Sequence, residues 1–155
     1  MAWSNSKVFA AAIGAALDRG VLYDFDGDTF KAALYDNDIT PDNAASLANI
    51  AYNAGQWTAS GNEVSDGTEW DAAGEPLVSN DITISTTTVK FDANDTASGG
   101  SSATLASVYG CLVYDDTVTS DYGVCYNYFG GSNSVTDGTF TIVWSSSGIF
   151  TVSVA

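Results

Sequence analysis

The chain has 155 residues, with four Lys and Arg against nineteen Asp and Glu, a formal charge of -15 and no histidine. So acidic a surface repels phosphate backbones and anionic lipid, which argues against nucleic acid and membranes as partners. Without histidine there is no Ser-His-Asp or Cys-His nucleophile system and no His-ligated metal.

The length suits one domain over 1–155, with an N-terminal helix inside 1–20 and a β-rich body over 21–155. Apolar residues make up 45%, much of it alanine, and Gly, Ser, Thr, Asn and Asp fill most of the remainder. That mix favours short strands with many turns over a helical bundle. The N-terminus lacks the basic region, apolar run and cleavage site of a signal peptide, and no stretch of 18 apolar residues exists. Synthesis in a cytosol is expected, which makes Cys111 and Cys125 reduced, buried, small apolar residues.

The segment 4–19 (SNSKVFAAAIGAALDR) is predicted to be a helix, with Ser4 or Ser6 as its N-terminal cap and Gly20 at its end. Phe9, Ile13, Ala16 and Leu17 fall at i, i+4, i+7 and i+8, one apolar stripe. In 30–35, Phe30, Ala32 and Leu34 alternate with Lys31, Ala33 and Tyr35, the period of a half-buried strand. Residues 36–38 and 41–43 carry turn chemistry, and 44–54 has room for a helical turn or two. Trp57 and Trp70 stand in a glycine-rich polar stretch, which predicts an extended loop pinned by rings, with short strands at 56–58 and 75–78. Residues 82–91 read as a single strand that ends in a turn at 92–94.

The most apolar part of the chain follows. Two runs, 105–114 and 122–129, flank the polar loop DDTVTSD and predict a central antiparallel hairpin that carries one cysteine on each arm. Residues 130–137 read as a turn, and 139–144 with 148–154 as a C-terminal hairpin. The expected fold is therefore mainly β, a single antiparallel β-sandwich or jelly-roll-like domain with one N-terminal α-helix. Leu112, Val113, Val124, Ile142 and Trp144 are its predicted central core.

Candidate chemistry is sparse. Asp24, Asp26 and Asp28 alternate in DFDGD and could turn three carboxylates toward one Ca²⁺. A calcium loop wants its glycine after the third acid and a bidentate Glu at the twelfth position, however, whereas Gly27 precedes Asp28 and Tyr35 stands twelfth. Turn chemistry at a strand entry is the better reading. The acidic residues are too scattered over polar turns to point to a glycosidase pair. Tyr109, Tyr114, Tyr122, Tyr126, Tyr128 and Phe129 could offer a carbohydrate or partner surface, but strand alternation sends at least half of them into the core. No cofactor motif is present, and no enzymatic activity is expected.

Several segments in order resemble small virion structural proteins of tailed bacteriophages, especially those of actinobacterial hosts. They are DTFKAALYDN (28–37), AYNAG-QW and NEVSDGTEWDAAGEPL (within 51–77), KFDANDTAS (90–98), VYGCLVYDD (108–116), and GVCYNYFGGSNSVTDGTFTIVW with GIFTVSV (within 123–154). A glycine pair typical of the loop is replaced by Ala73-Gly74-Glu75. The resemblance implies a non-enzymatic structural protein of the virion, made in the host bacterial cytoplasm, and in the first place a capsid decoration (cement) protein. A minor tail or tail-tip component is the alternative, and a carbohydrate-binding module a remote one. The implied partners are the phage major capsid protein or tail proteins, with further copies of the chain beside it on the particle. Lys7, Arg19 and Lys31, three of the four basic residues, lie in or just after the N-terminal helix. Lys7, Phe9, Ile13, Leu17 and Arg19 are therefore the candidate partner interface, with simple coverage of the sheet by the helix's apolar stripe as the competing reading.

Overall fold

The computed structural model describes residues 3–154, so residues 1, 2 and 155 of the expected domain lie outside the described residues. Ten strands and two helices are found among them: β1 (Lys7–Val8), α1 (Ala10–Asp18), β2 (Phe30–Tyr35), α2 (Leu47–Ile50), β3 (Glu75–Pro76), β4 (Asp81–Ser85), β5 (Thr88–Asp92), β6 (Thr96–Ala97), β7 (Ala103–Asp115), β8 (Gly123–Gly138), β9 (Thr141–Ile142) and β10 (Phe150–Ser153). With 38% strand against 9% helix, the fold is mainly β. A five-stranded sheet in the order β1-β8-β7-β2-β3 is joined by a three-stranded sheet β10-β5-β4 and a two-stranded one, β6-β9. All pairings are antiparallel.

The predicted hairpin is the centre of the molecule. β7 and β8 pair with Leu112 opposite Tyr126 and Val113 opposite Cys125. β2 adds on the other side of β7, with Ala32 opposite Val113 and Ala33 opposite Leu112. Side chains alternate across a strand, and here both faces are buried. Phe30, Ala32, Leu34, Cys111 and Val113 join Phe91, Phe140, Ile142 and Ile149 under the two smaller sheets, a sandwich-like arrangement. Ala33, Tyr35, Leu112, Tyr114 and Tyr126 face the opposite way, against Trp3, Phe9, Ala12, Ile50 and Trp57. β2 is thus not half-buried: Phe30 and Ala32 to Tyr35 are all fully covered. Lys31, half-buried, pairs with Asp116 at 2.9 Å. Of the predicted core, Leu112, Val113, Val124 and Ile142 are buried, Leu112 on the opposite face from the others, and Trp144 packs half-buried on the cluster of Val113, Val124 and Ile142. Ile142 and Trp144 join it from outside the central sheet, on β9 and just after it.

The two tryptophans pin the loop as expected, one in each core. Asp66 shapes the loop around Trp70: its Oδ1 accepts the N–H groups of Thr68, Glu69 and Trp70 at 3.1, 2.8 and 2.9 Å, and its Oδ2 that of Thr104 at 3.0 Å. These bonds, that from Trp70 foremost, hold its carboxyl well below the usual carboxylate range. Residues 75–76 form the expected strand, as the edge strand β3, while 56–58 form none.

Four boundaries differ from the sequence expectation. The helix is shorter, because residues 7–8 pair with Tyr126 and Cys125 as β1. Phe9, not Ser4 or Ser6, is its cap residue, without a side-chain cap bond, and Arg19 takes the left-handed conformation at the C-terminal end, φ 65°. Residues 82–91 are a hairpin, β4 and β5, with Thr86 at φ 54° in the turn. Residues 130–137 are no turn, since β8 runs through them past bulges, with Gly130 and Gly131 at φ 81° and 153°. The C-terminal strands do not pair with each other: β9 takes β6 and β10 takes β5. Both cysteines are free and buried, and burial pushes the Cys125 thiol up to about 12 and the Cys111 thiol above its usual range.

The helix docks through Ala12 and Ala15, its buried residues, and alanine allows close approach where larger side chains would hold it off. Phe9 is wholly buried, edge-on to Trp57 at 6.0 Å and against Tyr126 at 5.4 Å. Phe9→Ala should therefore cost about 3–5 kcal/mol in denaturant unfolding. A loss within about 0.5 kcal/mol, the range of surface substitutions, would return this residue to the surface.

Candidate functional site

The five residues proposed as one interface do not form a surface. Phe9 is core, Ile13 half-buried, and Lys7 lies exposed on β1, while Leu17 (81% exposed) and Arg19 stand at the far end of the helix. The stripe reading is corrected accordingly: only Leu17, with Leu22 nearby in sequence, presents a large apolar side chain there.

The acidic loop is built by turn chemistry. Asp24 Oδ1 accepts the N–H groups of Asp26 and Gly27 at 3.3 and 3.0 Å, and Asp28 Oδ2 accepts that of Asp24 at 2.8 Å. Asp26 Oδ1 accepts from Ile82 N–H at 2.8 Å, which ties the loop to β4. Each carboxylate serves a backbone amide, and no three metal-ligating side chains converge among the described residues.

Asp28 instead meets a residue that the sequence did not single out. Asp115, at the end of β7, has no exposed surface. Its Oδ1 accepts from Thr117 and Val118 N–H at 2.8 and 3.2 Å, as an Asp-x-Thr turn requires, but its Oδ2 is buried without a partner. Burial in the first place, and the neighbouring Asp28 carboxyl besides, push Asp115 up to about 6.

The aromatic run divides by depth and not by strict alternation: Tyr109 and Tyr128 pack against the same core as Tyr114 and Tyr126, and Phe129 against the other. Tyr114 and Tyr126 are core, whereas Tyr109, Tyr122, Tyr128 and Phe129 are half-buried. Tyr128 and Phe129 line a groove of about 510 Å³ between β8 and the segment 140–149. Trp144 lines the same groove, its indole N–H donating to Thr96 Oγ1 at 3.1 Å and its backbone N–H to Asp95 Oδ1 at 3.0 Å. Asn127 and Asn133 add side-chain amides, and none of the described lining residues is charged. A smaller hollow of about 240 Å³ adjoins it through shared walls at Ser6, Asn127 and Ile149, and runs between β1 and β10. Sequence reading placed Trp144 in the core and took 130–137 as a turn, so the groove could not be assembled from it.

A second surface is apolar. In the sheet β10-β5-β4, Ile82, Phe91 and Phe150 form one paired row that faces the core. The next row on that face, Ile84, Val89 and Val152, runs beyond it. Ile84 is 72% exposed and Val152 38%, and Val154, two residues on, is 67% exposed. No protein-family model, curated protein or solved structure matches the chain. Among the described residues no helix is long and apolar enough to cross a membrane.

Asp115 sets a pH dependence. Its folded value lies above the ordinary 3.8, so the folded protein holds this proton more tightly than the unfolded chain. Its contribution to stability is full below about pH 4 and is lost as pH rises through about 6. Asp115→Asn, which keeps an Oδ1 acceptor and gives Asp28 a donor, should raise stability at about pH 8 by up to about 3 kcal/mol and remove this slope. Denaturant unfolding across that range checks it. An unchanged slope would show that Asp115 ionises as an ordinary surface carboxylate.

Proposed function

We propose that the chain is a non-enzymatic structural protein of a tailed-phage virion, a capsid decoration protein bound to the head surface in many copies. The observation that carries the reading is the uncovered apolar row Ile84-Val89-Val152. The core beneath is already complete with Phe91 and Phe150, so the exposed Ile84 and Val152 add nothing to the isolated chain's folding that their position would explain. Exposed apolar surface of this kind, on a chain of charge -15, fits a subunit kept soluble by repulsion until the patch is covered on assembly. The segments that resemble phage virion proteins support the same reading. GIFTVSV contains β10 with Val152, and KFDANDTAS begins within β5 just after Val89, so one residue of the row lies on them and a second adjoins them. The partner is the major capsid protein, with neighbouring copies of the chain alongside; the protein is made in the host's cytoplasm and resides in the virion.

A minor tail or tail-tip role would use the same surface at a different place, and copy number separates the two. Quantification in purified virions should find on the order of hundreds of copies per particle, as the repeated lattice of a head provides. A handful of copies would assign the chain to the tail tip. Ile84→Asp, on an exposed position, should leave the fold intact and abolish incorporation. Full incorporation of that variant, or no chain in virions, would contradict the reading.

A further inference from the structure

The groove between β8 and 140–149 is a different surface from the apolar row and has a different chemistry. Phe129 and Trp144 supply rings to its lining, and Asn127, Asn133 and Thr141 supply short polar side chains. At about 510 Å³ it falls within the range of small-ligand sites. Three features narrow the ligand.

The first is charge. The main groove is uncharged among its described lining residues in a chain of -15. An anion would be repelled by the protein as a whole, and a cation would find carboxylates everywhere except here. The ligand is neutral.

The second is the combination of groups. Asn127 and Asn133 already donate to Cys125 Sγ and Gly131 O, so their side-chain oxygens are what they offer to a ligand, as acceptors for hydroxyls. An aromatic ring offers its electron-rich face to weakly positive C–H groups. A ligand with one apolar C–H face and a rim of hydroxyls satisfies both, and that is the chemistry of a sugar ring.

The third is shape and rigidity. The adjoining hollow extends the groove past Ser6, Asn127 and Ile149, with the exposed Lys7 the one charged residue on its described wall, which favours an elongated ligand over a compact one. The Trp144 ring is held before any ligand arrives, its indole N–H tethered to Thr96 Oγ1 at 3.1 Å. A pre-set ring spares a ligand the cost of ordering it.

We propose that this groove binds a neutral oligosaccharide, with Trp144 and Phe129 as its stacking walls and the Asn127 and Asn133 side-chain oxygens accepting from its hydroxyls. A virion protein with such a groove would carry a glycan-binding function on the particle surface in addition to its structural one.

Heteronuclear NMR of the intact chain tests this, with neutral hexasaccharides (cellohexaose, maltohexaose, galactohexaose and mannohexaose), an acidic galacturonate hexamer and an extended oligoalanine peptide as probes. At least one neutral hexasaccharide should shift the Asn127 and Asn133 side-chain amides and the Trp144 indole N–H, with a Kd of about 1 mM or tighter. Asn127→Ala should weaken it about tenfold, and Trp144→Ala should abolish it where that variant still folds. Ile84→Asp, on the other surface, should leave it unchanged. The proposal is overturned if no neutral hexasaccharide shifts these resonances at about ten times that concentration, or if the shifts lie outside the groove. It is equally overturned if the galacturonate binds and no neutral probe does, or if the peptide alone binds, which would give the groove to a polypeptide.

Discussion

The three strands at the centre must be covered on both faces, and the rest of the chain is arranged to do so. β2, β7 and β8 present Phe30, Leu34, Cys111 and Val113 on one side and Tyr35, Leu112, Tyr114 and Tyr126 on the other, all buried. A sheet that is apolar on both faces has to be the middle of three layers. With a nine-residue helix as its longest helical element, the chain supplies one cover from sheets and the other from Trp3, Phe9, α1 and the segment around Ile50 and Trp57. Alanine at 32 and 33 lets both covers come close. So does Gly74, which packs so tightly on the β2 backbone at Ala32 that a side chain there would collide with it. Glycine at 110 makes room in the same way for the ring of Trp3.

The same constraint explains both candidate surfaces. The three-stranded sheet needs only one of its apolar rows to close the core, and the second row therefore emerges on the surface. β8, at sixteen residues, is longer than the cover above it. Its bulged half beyond Tyr126 stays paired with β7, packs Phe129 and Val135 against the core, and lines the groove together with the 140–149 segment.

How much of this was legible depended on whether a signal was local. The alternation in 30–35 and the two runs around DDTVTSD identified the central strands, because burial on alternating faces is written in neighbouring residues. The helix was visible but its docking face was not: Phe9, Ile13 and Leu17 make the stronger stripe, yet the helix packs through alanines, whose small size matters only once the surface beneath is known. The β4–β5 turn was missed because Thr86-Thr87 contains none of the usual turn residues. GGSNSVTDG looked like a loop because glycine at a bulge and glycine at a turn have the same composition. The partners of β9 and β10, the meeting of Asp28 with Asp115 and the assembly of the groove are long-range facts, and no local pattern encodes them.

The account's central claim is that the doubly covered strands are the most stable part of the molecule and the smaller sheets are attached to them. Native-state amide hydrogen exchange tests this residue by residue. The account predicts that amides in Ala32–Leu34, Cys111–Val113 and Cys125–Tyr126 exchange slowest and only through global unfolding, while those of β4, β10 and α1 exchange earlier through local opening. If the amides of β4 and β5 proved as protected as these, or if β2 opened before them, the central sheet would not be what the rest of the fold depends on.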